Sequence, residues 1–176
     1  MDISASAVKE LREKTGAGVM ECKRALQDAN GDMEKASEAL RQKGLTKHLK
    51  VAGRAANQGL IESYIHTGGR IGALVELNCE TDFVARTDEF RTLAREIAMQ
   101  VASMDPKSVG TMGDDGTTDD ETALLDQSYI REPSKTIRDI IRETIGKVGE
   151  NIQVSRFSRF EVGMSNTGQE TPDPDQ

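Results

Sequence analysis

Six consecutive residues, Cys79-Glu80-Thr81-Asp82-Phe83-Val84, gather a thiol, two carboxylates, a hydroxyl and one of only four phenylalanines. The partners that would make them catalytic are missing. His48 and His66 are the only histidines, and neither lies at metal-ligand spacing from a cysteine or carboxylate. No GxSxG, HExxH or GxxxxGK[ST] pattern occurs. Gly68-Gly69-Arg70-Ile71-Gly72 resembles a nucleotide-binding fingerprint only loosely, because it joins strand to strand and opens no helix. These residues predict neither bond chemistry nor a metal or cofactor. Helical periodicity predicts that Phe83 packs beneath the helix that follows it, with Asp82 as a cap.

Two charged stretches also need placing. Asp114, Asp115, Asp119, Asp120 and Glu121 form an acidic run without the ligand spacing or terminal glutamate of a calcium loop, so it reads as solvated. Arg41, Lys43, Lys47, Lys50 and Arg54 make residues 41–54 basic. That stretch reads as a solvated helix end, with RNA or an acidic protein surface as the alternative contact.

The elements around these groups follow from spacing and turn residues. Residues 1–45 predict three short helices. The first carries Ala7, Val8 and Leu11, is capped by Ser4 or Ser6, and stops at Gly16 and Gly18. The second carries Val19, Met20, Cys22, Ala25 and Leu26 and ends at Asn30-Gly31. Asp32 caps a third, with Met33, Ala36, Ala39 and Leu40 on one face, ending at Gly44. Residues 46–57 read as a basic linker. A core over 58–163 opens with a hairpin, Leu60 to Ile65 and Ile71 to Asn78, turning at Gly68-Gly69. Ala73, Val75 and Leu77 share one face of its second strand. Thr87 caps a long helix carrying Phe90, Leu93, Ala94, Ile97, Ala98 and Val101. An acidic, turn-rich interval, 105–122, reads as a mobile loop. Ser134 then caps a helix with Ile137, Ile140, Ile141, Ile145 and Val148 inward, ending at Gly149. Asn151 to Val162 is a strand in which Phe157 and Phe160 break the alternation, as a bulge would. Residues 164–176 are polar and read as a disordered tail. The fold class is α+β: a three-helix bundle, then a three-stranded antiparallel sheet with helices on one face.

Bulk composition narrows the function further. The 176 residues are 36% hydrophobic and 30% charged, with a net charge of −7. No apolar run approaches the ~20 residues that span a bilayer, and no secretory signal opens the chain. No membrane association is expected, and the cytoplasm is the expected location. Net acidity disfavours nucleic acid as the main ligand. Cys22 and Cys79 are expected to be buried free thiols.

Three stretches, in order, resemble the elongation factor Ts family. Val8-Lys9-Glu10-Leu11-Arg12-Glu13-Lys14-Thr15-Gly16-Ala17-Gly18, continuing through Met20-Glu21-Cys22-Lys23 and Ala25-Leu26, is similar to that family's ubiquitin-associated-like N-terminal module. Glu76-Leu77-Asn78-Cys79-Glu80-Thr81-Asp82-Phe83-Val84-Ala85-Arg86 resembles its most recognisable segment. Ile145-Gly146, Gly149-Glu150-Asn151-Ile152, Arg156-Phe157 and Arg159-Phe160-Glu161 complete the likeness. The resemblance implies a nucleotide exchange factor of the GTPase elongation factor Tu. It implies that the loop Thr81, Asp82, Phe83 and Val84 disturbs the magnesium and phosphate site, with Asp82 and Phe83 as the intruding pair. It also implies that Lys9, Arg12, Gly16, Gly18, Val19, Met20 and Lys23 touch the same GTPase domain. Longer members carry a second core half and a helical insertion before Leu124-Leu125. This chain resembles the short members, some of which pair through an exposed sheet surface, so a homodimer is expected. Two other functions fit parts of the sequence: a ubiquitin-associated-like adaptor without exchange activity, which has no need of the Thr81–Arg86 loop, and a small RNA-binding translation protein using 41–54.

Overall fold

The computed structural model describes residues 3–112 and 122–164, with side chains for all of these except 44–48. Three helices come first, α1 (Ala5–Thr15), α2 (Val19–Asp28) and α3 (Met33–Val51). The Ser4 hydroxyl accepts the Ala7 amide at 3.2 Å and caps α1. Gly16, at φ 65°, takes the left-handed turn that ends it. Asp32 accepts the amides of Glu34 and Lys35 and opens α3. Val8, Leu11, Cys22, Leu26 and Ala36 form a small closed core, whereas Ala39 faces solvent. The third helix runs through Gly44 to Val51, so 46–51 of the expected linker is helical. An interior glycine costs about 1 kcal/mol relative to alanine, and Val51, buried in the larger core, offsets that cost.

The larger core is built on a three-stranded antiparallel sheet with the second hairpin strand in its centre. Strands β1 (Gln58–Ile65) and β2 (Ile71–Cys79) meet at Gly68 and Gly69, both at positive φ, as the hairpin reading requires. Ala73, Val75 and Leu77 are buried on one face of β2. In the last strand, β5 (Gln153–Glu161), Arg156 pairs with Glu76 and Val154 with Leu77, leaving Ser155 unmatched. This is the expected bulge. It turns Val154 and Phe157 to the inner face although they are three residues apart, and sends Phe160 outward.

Two long helices complete the core, α5 (Asp88–Met104) and α6 (Ile137–Val148). Thr87 caps α5 by accepting the Phe90 amide, and Phe90, Ile97 and Val101 are fully buried beneath it. The cap of α6 is Thr136, not Ser134. Ser134 lies in β4 (Glu132–Thr136), which pairs with β3 (Ser128–Tyr129) in a small ribbon the sequence did not announce. Thr136 and Asp139 form a reciprocal capping box, Thr136 Oγ1 accepting the Asp139 amide and Asp139 Oδ2 the Thr136 amide.

The described ends of the 105–122 interval are held rather than free. The Lys107 amide donates to the Thr122 carbonyl and the Leu124 amide to that of Ser108. Buried Arg138 on α6 pairs with Asp126 and donates to the Thr111 carbonyl. The acidic run at 114–121 and the tail at 165–176 lie outside the described residues. Both cysteines are buried and free.

Candidate functional site

At the end of β2 the chain makes a single helical turn, α4 (Asp82–Ala85). Thr81 is extended, and its hydroxyl accepts the Val84 amide at 3.4 Å, so Thr81 is the cap. Successive residues on a helix point about 100° apart. Ala85 is buried and Val84 packs against the main core, which leaves Phe83 on the outward side. Phe83 is 81% exposed. The sequence expectation of a buried ring beneath α5, capped by Asp82, is therefore overturned. Asp82 instead pairs with Arg86 Nη2 at 2.9 Å, one turn on. The Thr87 hydroxyl donates to the Val84 carbonyl at 2.8 Å and joins the turn to the start of α5.

The turn is also held from behind. Glu150 Oε2 accepts the Thr81 amide at 3.0 Å, and its Oε1 accepts the Thr81 hydroxyl at 2.7 Å. In the opposite sense, Glu80 Oε1 accepts the Asn151 amide at 2.7 Å. Arg54 Nη1 lies 3.6 Å from the same oxygen. The Asn151 side-chain amide donates to the carbonyls of Arg54 (2.7 Å) and Ala52 (3.4 Å). The Glu150–Thr81 and Asn151–Glu80 contacts span about seventy residues of sequence, and no local pattern announces them. Cys79, just before the turn, donates its thiol to the Thr81 carbonyl at 3.1 Å. Burial, with the Glu150 carboxylate adding to it, pushes this thiol up to about 11, which removes it as a nucleophile at neutral pH.

The N-terminal candidates gather on the small helical core. Lys9 and Arg12 on α1 and Lys23 on α2 are exposed, and Lys9 pairs with Glu13 at 3.7 Å. Gly18 is the N-cap of α2, followed by Val19 at 51% and Met20 at 68% exposure. Gly16 is exposed, with the end of the Lys147 side chain beside it: a Cβ there would sit 2.2 Å from Lys147 Cε. Nearby, residues of α1, α3, β4 and α6 line a cleft of about 540 Å³. Its charges, including Lys14, Glu21, Glu38, Arg41, Glu143 and Lys147, are mixed in sign.

The basic stretch is partly neutralised by the chain itself. Arg41 pairs with Glu38, Lys43 with Glu21 and Arg54 with Glu80. His66 shares a 3.1 Å hydrogen bond with the Tyr64 hydroxyl at the hairpin end. Among the described residues no group of three His, Cys, Asp or Glu side chains could hold a metal ion, and no helix is long and apolar enough to cross a membrane.

The sheet face turned away from α5 carries Ile61, Ile65, Leu74 and Phe160, between 46% and 67% exposed. Ile65 and Phe160 flank Gly72 in register, and Ile61 lies opposite Glu76. Val162 continues the apolar strip past the end of β5 at 57% exposure. The face also carries Ser63 and Ser158 either side of Leu74, and the Glu76–Arg156 pair beside Ile61, so its apolar residues are interleaved with polar ones.

Sequence comparison agrees with this architecture. The elongation factor TS family model matches residues 22–115 and 80–169. A protein named elongation factor Ts from Thermoanaerobacter pseudethanolicus is 50% identical over 194 aligned positions, covering 92% of this chain and 95% of that protein. The protein of the same name from Caldanaerobacter subterraneus is likewise 50% identical, covering 92% and 97%. That from Fervidobacterium nodosum is 46% identical, covering 93% of this chain and all of the relative. The chain belongs to the elongation factor Ts family, a family of translation elongation factors.

Proposed function

We propose that this chain binds elongation factor Tu carrying GDP and promotes release of the nucleotide, with no bond made or broken. Asp82 and Phe83 enter the GTPase domain, and the ring occupies an apolar pocket that opens as the magnesium and phosphate contacts loosen. The observation that carries this reading is the 81% exposure of Phe83 on a turn capped by Thr81. An aromatic ring held in solvent on an anchored turn is poised to transfer its burial energy to a partner. Full burial of a phenylalanine is worth about 2–3 kcal/mol, and aromatic anchors in pockets dominate many interfaces. Coupling is reciprocal: if binding through this ring weakens GDP, GDP weakens the complex by the same factor.

Lys9, Arg12, Gly18, Val19, Met20 and Lys23 form a second contact with the same GTPase domain, and the exposure of Val19 and Met20 supports it. Gly16, exposed at the end of α1 with the Lys147 side chain beside it, belongs to the same contact. The apolar outer face of the sheet, with Ile61, Ile65, Leu74 and Phe160 exposed, supports pairing of two copies. Nucleic acid is not the partner: three cations of the basic stretch are matched by the chain's own carboxylates, and the net charge is −7. The cytoplasm is the proposed location. The test is direct. Elongation factor Tu loaded with a fluorescent GDP is mixed with substoichiometric amounts of the chain in excess unlabelled GDP. Faster loss of label is expected, and a rate equal to spontaneous release would reject the reading.

A further inference from the structure

We infer that Glu150 is a positioning residue for the Phe83 turn. The inference rests on the reading of Phe83 as the anchor that enters the GTPase. Gly149, at φ 78°, ends α6 in a left-handed turn and redirects the chain so that Glu150 and Asn151 sit beside the end of β2. Both oxygens of the Glu150 carboxylate are used on one residue, Thr81, through its amide and its hydroxyl. Thr81 is the cap of α4, so the carboxylate fixes the residue that sets where the turn begins.

The contact is reciprocal. Glu80, the residue before Thr81, accepts the amide of Asn151, the residue after Glu150. Two loops distant in sequence are thereby locked to each other by charge-assisted bonds, which are about twice as strong as neutral ones. The Asn151 side chain extends the lock to the carbonyls of Ala52 and Arg54, where the chain leaves α3. None of these groups needs to touch a partner. Their effect is to keep a single turn, too short to be stable alone, in one orientation, so that Phe83 meets its pocket without first being ordered.

The test is a double-mutant cycle in the full chain. GDP release from elongation factor Tu is measured for the wild type, Glu150→Ala, Phe83→Ala and the double variant, with thermal stability and amide hydrogen exchange at Thr81 and Val84 recorded for each. Glu150→Ala removes both hydrogen bonds to Thr81 and should slow release about tenfold or more, since one lost hydrogen bond to a charged group is already on that scale. It should also raise exchange at both amides, while the double variant is no slower than Phe83→Ala alone. Glu150→Gln, which keeps one acceptor oxygen and the side-chain volume, should fall between, and it serves in place of Glu150→Ala if that variant fails to fold. Unchanged release in Glu150→Ala, or effects of the two substitutions that simply multiply, would overturn the positioning role while leaving the anchor intact. Unchanged release in Phe83→Ala would overturn the anchor itself and the positioning role with it.

Discussion

Replacing Phe83 with alanine should separate binding from stability. The ring is 81% exposed, so only about a fifth of its surface is buried in the free chain. Substitution should therefore cost below about 0.5 kcal/mol of folding stability. In a chain of this size that moves the melting temperature by no more than about 2 °C. If the ring is fully buried in the GTPase, the complex loses about 2–3 kcal/mol, roughly 30- to 140-fold in affinity or in stimulated release. Phe90 is the internal contrast. It is 0% exposed on the inner face of α5, and Phe90→Ala should cost about 3–5 kcal/mol of stability. The assay pairs a thermal melt with stopped-flow release of fluorescent GDP. Wild-type release by Phe83→Ala would refute the reasoning, and so would a loss of stability as large as that of Phe90→Ala.

Other consequences can be checked on the free protein. Leu74→Lys, in the centre of the apolar outer sheet face, should convert a dimer to a monomer in sedimentation at micromolar concentration, and a wild type that is already monomeric would refute the pairing. Thr136→Ala removes the capping box of α6 and should cost about 1 kcal/mol, seen as a fall of about 2–4 °C in melting temperature. Burial raises Cys79 from 9.0 to about 11. The folded chain keeps a proton that the unfolded chain gives up, so this contribution is complete below pH 9 and is lost as pH rises from 9 towards 11. Melting temperatures at pH 8 and pH 10 should differ more for the wild type than for Cys79→Ala, and equal differences would contradict the shift.

Local signals carried most of the fold. Ser4, Asp32 and Thr87 cap the helices they precede, and Gly68-Gly69 turns the hairpin, because each acts on its own few residues of backbone. The bulge at Ser155 was legible because Val154 and Phe157 cannot share a face of a regular strand. Tertiary context decided the rest. Gly44 does not stop α3, because the helix reaches Val51 and that side chain is buried in the larger core. The β3–β4 ribbon passed unseen because Glu132-Pro133-Ser134-Lys135-Thr136 has no apolar alternation to betray a strand. Ser134 is the cap of α6 expected from the sequence, but the reciprocal bond with Asp139, which a three-residue reading of the chain does not single out, puts the cap at Thr136.

At the site, the residue types drew notice but their orientation did not follow from them. Phe83, Val84 and Ala85 are all apolar, and which of them faces inward depends on where the turn begins. That start is set by Thr81 and by Glu150, a residue on the far side of α6.

The most direct measurement places the Phe83 ring itself. A 4-fluorophenylalanine introduced at position 83 gives one fluorine signal, which in the free chain should resemble that of a solvated ring. On mixing with nucleotide-free elongation factor Tu the signal should shift and broaden as the ring enters a pocket, and excess GDP should return it to the free position. A signal that stays at its free position while the complex forms would contradict the proposal that this ring is what loosens the nucleotide.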